Sequence, residues 1–307
     1  MPSIRHIVTL LRRNAKPYVL SIPYYIDELR GIRTLSAFHD WVYFKFPFAF
    51  SFAPFPLYVT VEPTTICNFS CTHCWRLSSL EKRGVGSMPV EIFEKIIREA
   101  SAAAKPPELL KIGGAGEPAL HPHFRELMSS LDMLKKSGVK TYVYTNGTLF
   151  ERFSSEEISR WNIDRIVVSV DGTDPDSYEK VRVGGNFHQL RKRVCEFREF
   201  RDQTSSKKPW IEIRHVILEN ETLRLLIDFR RDWLPPGDTV KFQRLMAVGK
   251  KASPVSIRVD RGTRRELPIE WTGNVPVSSG TYPIAGNIES QTIEELWLRF
   301  RDAVHTS

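Results

Sequence analysis

Strand-like and helix-like segments alternate from residue 57 onward, and this alternation constrains the fold more than any other feature of the sequence. Helix-like segments include 89–104, with Ser87 as its expected N-cap, and 123–138, which ends at Gly138. Between the helix-like segments lie six apolar runs, rich in β-branched and aromatic residues, that are typical of strands: 56–64, 109–116, 140–147, 165–172, 210–218 and 239–249. Strands that alternate with helices form a parallel sheet with right-handed crossovers, so the sequence predicts an α/β fold.

Polar and glycine-rich residues follow the first four predicted strands directly. Three cysteines come after the first strand, residues 113–118 after the second, Asn146 and Gly147 after the third, and residues 169–172 after the fourth. The carboxyl ends of parallel strands carry the ligand site in barrels and in open α/β sheets. Taken singly, each motif is explained by an ordinary turn, and Asp171 by capping of the next helix. Their common position predicts one functional site at this edge.

Three of the four cysteines, Cys67, Cys71 and Cys74, lie within eight residues in the pattern C-x3-C-x2-C. Soft thiolates at this spacing bind an iron–sulfur cluster or help to hold zinc. A structural zinc site needs four ligands, and the fourth cysteine, Cys195, lies about 120 residues away. Three thiolates on a four-iron cluster leave one iron open to another ligand. The cysteines therefore favour a catalytic iron–sulfur centre, with structural zinc as the alternative.

With these motifs the sequence resembles the radical S-adenosylmethionine (SAM) superfamily over about residues 57–250. The resemblance implies a partial (β/α)6 barrel of the TIM type. It also implies that Cys67, Cys71 and Cys74 bind one [4Fe–4S] cluster. The motif of this family that contacts the amino group of SAM is resembled by the loop Gly113-Gly114-Ala115-Gly116-Glu117-Pro118. Arg182 resembles the residue of the family that approaches the carboxylate of SAM. Asn146 and Ser169 are small hydrogen-bonding residues suited to the ribose or the methionyl moiety.

The resemblance also implies a reaction. In this family SAM chelates the open iron, and one electron from the reduced cluster cleaves its sulfonium to give methionine and a 5′-deoxyadenosyl radical. That radical abstracts a hydrogen atom from the substrate. An external one-electron reductant, such as a flavodoxin or a ferredoxin, is therefore expected as a partner.

The C-terminal segment 251–307 resembles the SPASM extension of many radical SAM enzymes, which normally binds auxiliary clusters through several cysteines. This segment has no cysteine, and Ser278 and Ser279 stand where one is expected. Hydroxyl groups are poor substitutes for thiolates on iron, so we expect a degenerate, loop-rich α/β extension without an auxiliary cluster. Within it, the sequence predicts a hairpin around Thr272-Gly273-Asn274 and a helix over 292–304. Cys195, in a helical segment, is expected to be a packed thiol, with hydrogen donation to a substrate radical as the alternative.

The charge of the chain is uneven: it has a net charge of +8, and segment 241–265 alone holds eight basic residues and one acidic residue. A solvated basic face explains such a run, and attraction of an anionic substrate is the functional alternative. The N-terminal extension 1–56 is basic and aromatic, with a helical apolar face over 4–13 and phenylalanines alternating over 44–52. These phenylalanines either complete the core of the next domain or contact a membrane surface. We find no nucleic-acid recognition module and expect no nucleic-acid partner.

The sequence shows no signal peptide and no apolar stretch of membrane-spanning length, so we expect a cytoplasmic protein. The hypothesis from sequence is a radical SAM enzyme that abstracts hydrogen from a small anionic or glycosidic metabolite. A nucleotide sugar, a nucleoside or a natural-product intermediate would fit that description. A peptide-modifying radical SAM enzyme and a non-catalytic zinc-binding protein are the alternatives.

Overall fold

A computed structural model describes residues 55–204, 207–218, 221–244, 265–278 and 281–306. The strands are β1 (Tyr58–Val61), β2 (Leu109–Ile112), β3 (Lys140–Thr145), β4 (Arg165–Ser169), β5 (Trp210–Ile217), β6 (Thr239–Arg244), β7 (Glu266–Ile269), β8 (Asn274–Ser278) and β9 (Thr281–Asn287). The α-helices are α1 (Arg76–Arg83), α2 (Val90–Ala102), α3 (Phe124–Ser130), α4 (Thr148–Arg152), α5 (Ser155–Arg160), α6 (Pro175–Val181), α7 (Phe187–Gln203), α8 (Leu223–Trp233) and α9 (Ile293–Thr306).

Seven strands form one parallel sheet in the order β6-β5-β4-β3-β2-β1-β7. The first six strands lie beside one another in chain order, each joined to the next through helices, as in the βα units of a TIM-type barrel. The α/β fold with a partial barrel is therefore confirmed. Because all of these strands run in the same direction, the loops after β1 to β4 meet at one edge.

The two faces of the strands differ in character. One face contributes Val143, Ile166, Val168 and Ile213 to a large apolar core that the helices cover. The other face carries polar and charged side chains, and the rings of Tyr142 and Tyr144 lie under two of its arginines, Arg165 and Arg214. Side chains alternate between the two faces of a strand. This alternation gives the barrel a polar interior inside an apolar shell.

Several local predictions are wrong in detail. Helix α2 begins after Pro89 without a side-chain cap, and the Ser87 hydroxyl lies 2.9 Å from that of Thr64 instead. The helix after residue 123 changes at Ser130 into a short 3-10 helix, Leu131–Leu134, and does not reach Gly138. Asp174 caps helix α6 by accepting a hydrogen bond from the backbone N–H of Ser177, so the ordinary explanation of Asp171 as that cap does not apply.

The expected hairpin around residues 272–274 is also wrong in its pairing. A tight turn forms there, with the Gly273 N–H donating to the Glu270 carbonyl at 2.8 Å. Strand β7 nevertheless pairs with β1 in parallel, and β8 pairs with β9 in antiparallel fashion. Leu267 and Ile269 of β7 are both buried in the core, and this burial favours pairing of the strand with the main sheet.

Some predictions fall on residues that the structure does not describe. These are the N-terminal extension 1–54, with both of its apolar patterns, most of the basic run, 245–264, and Ser279. The predicted C-terminal helix is present as α9. Within the described ranges, no helix is long and apolar enough to cross a membrane.

Candidate active site

The cysteine loop follows β1 and is fixed against the end of α6. The Ser70 N–H donates to the Val183 carbonyl at 2.9 Å, and the Thr72 N–H donates to the Val181 carbonyl at 3.0 Å. Two backbone N–H groups point at sulfur: that of Phe69 lies 3.5 Å from Cys67 Sγ and that of Arg76 3.4 Å from Cys74 Sγ. Such donors favour thiolate over thiol and tune clusters that thiolates hold.

The glycine loop 113–116 follows β2 and lies against the cysteine loop. Gly113 has φ +154°, and a Cβ there would lie 2.8 Å from the Cβ of Tyr144. A Cβ at Gly116 would lie 2.3 Å from the Thr64 carbonyl oxygen. Neither position leaves room for a side chain. The loop needs glycine to bring its backbone this close to β3 at Gly113 and to the chain after β1 at Gly116.

The two loops line one cavity of about 390 Å³ at the carboxyl ends of the strands. The structure brings together nine of the ten residues that the sequence predicts for the cluster and for SAM: Cys67, Cys71, Cys74, Gly113, Gly114, Gly116, Asn146, Ser169 and Arg182. Ala115 lies between two of these glycines and lines the same cavity. The four strand ends that the sequence predicts to form one site therefore line a common cavity.

Glu117 is the residue that the structure places elsewhere. Its side chain is buried and accepts hydrogen bonds from the Thr145 hydroxyl at 2.9 Å and from the backbone N–H groups of Asn146 at 2.7 Å and Ala119 at 3.2 Å. Burial raises the pKa of Glu117 to about 7, although these donors oppose the change. Its carboxylate joins the glycine loop to the end of β3 and does not line the cavity.

Arg182 lies between an acid and a cluster cysteine. Its guanidinium forms an ion pair with Asp171, and its Nη1 lies 3.6 Å from Cys71 Sγ. Asp171 raises the pKa of Arg182 although burial opposes the shift. Asp171 is fully buried, and although burial favours its neutral form, Arg182 first and then His73 lower its pKa to about 2. A permanent positive charge is thus held beside one cysteine.

Asp171 joins three elements around this site. One carboxylate oxygen accepts a hydrogen bond from the Val216 N–H of β5 at 2.7 Å. The other lies 3.1 Å from Nε2 of His73, between the second and third cysteines. Asp171 itself follows β4. His73, which lies within the cysteine motif, therefore attaches the loop to the barrel.

Asn146 has a different set of partners. Its side-chain amide donates to Oδ1 of Asn68 at 3.0 Å and lies 3.9 Å from Cys67 Sγ, and its own Oδ1 accepts from the Thr148 hydroxyl at 2.7 Å. This network connects the cysteine loop to the start of α4. Asn146 is thus more than a turn residue, because its side chain orders the loop that carries Cys67.

Several residues lining the cavity were not predicted from the sequence, among them Thr60, Lys111, Tyr144 and Glu266. These four lie on β1, β2, β3 and β7. Lys111 Nζ lies 2.7 Å from Glu266 Oε2, and Thr60 donates to the other oxygen of Glu266. The alternation within each strand is the signal that marks them, since an inward polar residue follows each buried apolar one.

Cys195 lies on α7, where its side chain is half-buried, and it does not line the cavity. Burial raises the pKa of its thiol. The structure therefore places this cysteine away from the residues that would surround a substrate radical. Hydrogen donation by Cys195 has no support from this geometry.

The donor set of the cavity fits a [4Fe–4S] cluster with an open iron. Three free thiols surround one space, and backbone N–H groups and a guanidinium face their sulfur atoms. Burial raises the pKa values of Cys67 and Cys71, so a metal must displace their protons on binding. Among the described residues, no three His, Cys, Asp or Glu side chains meet as closely as a single metal ion requires.

The family model of the radical SAM superfamily matches residues 61–227, more than half of the chain. The chain belongs to this superfamily. The assignment implies a [4Fe–4S] cluster and S-adenosylmethionine as cofactors. The cavity described above lies within the matched part of the chain.

Three curated proteins illustrate the range of relatives. The tungsten-containing aldehyde ferredoxin oxidoreductase cofactor-modifying protein of Pyrococcus furiosus is 28% identical over 183 residues, which cover 59% of this chain and 49% of that protein. A probable GTP 3′,8-cyclase of Methanococcus maripaludis is 30% identical over 132 residues, covering 43% of this chain and 42% of the cyclase. The subtilosin biosynthesis protein AlbA of Bacillus subtilis is 32% identical over 150 residues, 46% of this chain and 30% of AlbA.

The chain spans about half or less of the length of these relatives. Among solved structures, Streptococcus suis SuiB bound to the precursor peptide SuiA superposes with a TM-score of 0.62 at 16% identity, covering 85% of this chain and 68% of SuiB. At this identity the similarity establishes a shared fold.

Proposed function

We propose that this chain is a radical SAM enzyme that cleaves S-adenosylmethionine reductively at a single [4Fe–4S] cluster. The observation that carries the proposal is the single cavity that joins three cysteines to the glycine loop, Asn146, Ser169 and Arg182. When bound, the cluster and SAM would supply one-electron chemistry that generates a 5′-deoxyadenosyl radical.

The residues of the chain have separate roles in this proposal. Cys67, Cys71 and Cys74 hold the cluster, and the backbone of the glycine loop receives the amino group of SAM. Arg182 supplies the positive charge for a carboxylate, because a guanidinium matches that group in shape and charge. Asn146 and Ser169 donate hydrogen bonds to the rest of the cofactor. Glu117 and Asp171 are positioning residues that hold the glycine loop and Arg182.

We further propose that the substrate is a small anionic or glycosidic metabolite. The cavity of about 390 Å³ has the size of a site for small-molecule ligands. The similarity to a probable GTP 3′,8-cyclase supports a substrate of this class. The hydrogen atom would be abstracted within the barrel, where the surrounding strands exclude water.

Modification of a peptide is the second candidate function. It is favoured by the similarity to AlbA, a protein of bacteriocin biosynthesis, and by the fold shared with SuiB, whose structure holds a precursor peptide. The two candidates share the same cofactors and differ in the size of the substrate.

The proposal includes two conditions. An external one-electron reductant of the flavodoxin or ferredoxin type must reach the cluster. A reducing, cytoplasmic compartment keeps the described cysteines as free thiols before a cluster is assembled. The degenerate SPASM extension, without an auxiliary cluster, belongs to the same proposal.

Anaerobic reconstitution with iron and sulfide tests the proposal. A brown protein with about four irons, which forms 5′-deoxyadenosine from SAM under reducing conditions, is the expected result. A colourless protein that binds zinc stoichiometrically would overturn it. Nucleotide sugars, nucleosides and peptides are then compared by the deoxyadenosine that each one releases, and the class that stimulates release identifies the substrate.

A further inference from the structure

Four charged side chains form a group inside the barrel and do not line the cofactor cavity: Arg165 of β4, Glu212 and Arg214 of β5, and Lys241 of β6. We call this group the basic cluster. In the register of the sheet, Arg214 lies between Ser169 of β4 and Lys241 of β6. The four residues therefore share the inward face of three neighbouring strands.

Glu212 is the centre of the basic cluster. Arg165 Nη1 lies 2.5 Å from Glu212 Oε2, Lys241 Nζ lies 3.3 Å from the same oxygen, and Arg214 binds Oε1 through Nη2 and through Nε at 3.1 Å. Glu212 is fully buried. Burial alone would raise its pKa, but Arg214, followed by Lys241 and Arg165, lowers it to about 2.

The charges of the basic cluster do not balance, because one carboxylate faces three cations. The side chains of Arg165, Arg214 and Lys241 are 24%, 26% and 30% exposed, so each retains a surface that a ligand can reach. The Nε of Arg165 is buried and has no hydrogen-bond partner among the described residues. Positive charge held in a poorly hydrated interior without a counter-charge is costly, so this excess attracts an anion.

A second charged pair, which lines the cofactor cavity, behaves differently. Lys111 and Glu266 form a one-to-one ion pair beneath the glycine loop, and Thr60 completes the bonding of the carboxylate. That pair is neutral as a whole. The excess positive charge of the basic cluster on β4 to β6 therefore has no equivalent at this pair.

The basic cluster is next to the cofactor cavity. The Arg214 guanidinium lies 5.0 Å from the ring centre of Tyr144, and Tyr144 lines the cavity. Ser169, which also lines it, is the register partner of Arg214. An anion on the cluster would therefore be within reach of a molecule that also occupies the cavity.

We propose that the basic cluster binds a compact, multiply charged oxyanion of the substrate, such as a phosphate group. Two guanidinium groups and an ammonium supply the donors that phosphate and carboxylate groups require. Assigning this anion to the substrate rests on the proposed function, whereas the binding of an oxyanion does not. The cluster would anchor the substrate and orient its reacting carbon toward the cofactors.

Binding of inorganic pyrophosphate, with malonate as a carboxylate probe, tests the proposal by calorimetry on the full chain. We expect saturable binding of at least one probe that weakens as salt is raised. The variant Lys241→Gln should weaken this binding about tenfold, because one charged donor is lost. The variant Glu212→Gln should strengthen it about fivefold, because the competing negative charge is removed.

The matched control is Lys192→Gln, which makes the same change of charge on the exposed face of α7, where the Lys192 side chain is 73% exposed. It should leave probe binding unchanged. A cluster that only stabilises the fold would bind neither probe, or would bind them equally well in the Lys241→Gln and Lys192→Gln variants, and either result overturns the proposal. Whichever probe binds more tightly identifies phosphate or carboxylate as the ligand group.

The same preparations separate this inference from the proposed function. Deoxyadenosine formation without substrate depends on the cofactor cavity and is measured on the natural chain and on the Lys192→Gln control. If SAM is cleaved and neither probe binds, the anion site is refuted and the radical SAM activity stands. If a probe binds with the expected response to the variants and SAM is not cleaved, the activity is refuted and the anion site stands.

Discussion

The cofactor end of the cavity and the basic cluster differ in the groups that form them and in their charge. At the cofactor end, thiols and backbone N–H groups dominate, and one arginine, Arg182, is neutralised by Asp171. In the basic cluster, by contrast, three cations share Glu212 as their counter-charge. The first region is nearly neutral and shaped by backbone, whereas the second is strongly charged and shaped by side chains.

This difference indicates that the two regions of the barrel bind different molecules. A backbone surface suits cofactors that all relatives share, because it depends little on individual side chains. A side-chain surface suits a substrate, because three or four substitutions on inward positions change what it recognises. The buried acids of the two regions, Glu117 and Glu212, show the same contrast, with pKa values of about 7 and about 2.

The largest effect is expected for Cys71→Ala at the cofactor end. Removing one of three thiolate ligands should abolish cluster assembly, so that iron content and deoxyadenosine formation both fall to background. Both are measured after anaerobic reconstitution. The matched control is Cys195→Ala, which removes the half-buried thiol of α7 and should retain the cluster and the activity. Equal loss in the two variants would contradict the assignment of the cluster ligands.

The cofactor end could be predicted from the sequence because its residues occur in compact motifs at strand ends. The basic cluster could not, since its members come from three strands that are far apart in sequence. In the run of β5, Trp210–Ile217, Glu212 and Arg214 alternate with isoleucines, which indicates one inward face but not its neighbours. Only the register of β5 with β6 brings Lys241 beside Arg214.

Strand β7 shows a second limit of sequence-based prediction. Its four residues, Glu266–Ile269, precede a clear turn and therefore resemble the first strand of a hairpin. The position of β7 beside β1 depends on burial of Leu267 and Ile269 against a core assembled by distant residues. Local turn chemistry predicted the turn correctly, and tertiary burial decided the pairing.

The second-largest effect is a loss of stability, expected for Asp171→Asn. The substitution leaves Arg182 buried without its counter-charge, which typically costs about 3 to 5 kcal/mol. The free energy of unfolding, measured by urea denaturation of the full chain, should fall by that order. The exposed pair of Asp132 and Lys135 provides the control, since Asp132→Asn should cost less than about 1 kcal/mol. Similar losses in the two variants would show that Asp171 does not hold Arg182 in place.

The smallest effect concerns pH and distinguishes Glu117 from Glu212. The unfolded chain loses the Glu117 proton near pH 4.5, whereas the folded chain keeps it until about pH 7. The folded state binds more protons in this interval, so its stability falls as pH rises through it, by about 3 kcal/mol in total. Glu212 acts in the opposite direction, because its stabilisation is present above pH 4.5 and is lost as pH falls toward 2.

The variant Glu117→Gln removes the contribution of Glu117 to the pH dependence of stability and leaves that of Glu212 in place. The difference in unfolding free energy between this variant and the natural chain should therefore change between pH 4.5 and 7 and stay constant above pH 7. Gln189→Asn, an exposed change on α7 that removes no titratable group, should show no such change over the same interval. A flat difference for Glu117→Gln would mean that its three hydrogen-bond donors outweigh burial and keep the carboxyl ionised. Glu117 would then be ionised like Glu212, and the contrast between the buried acids of the two regions would disappear.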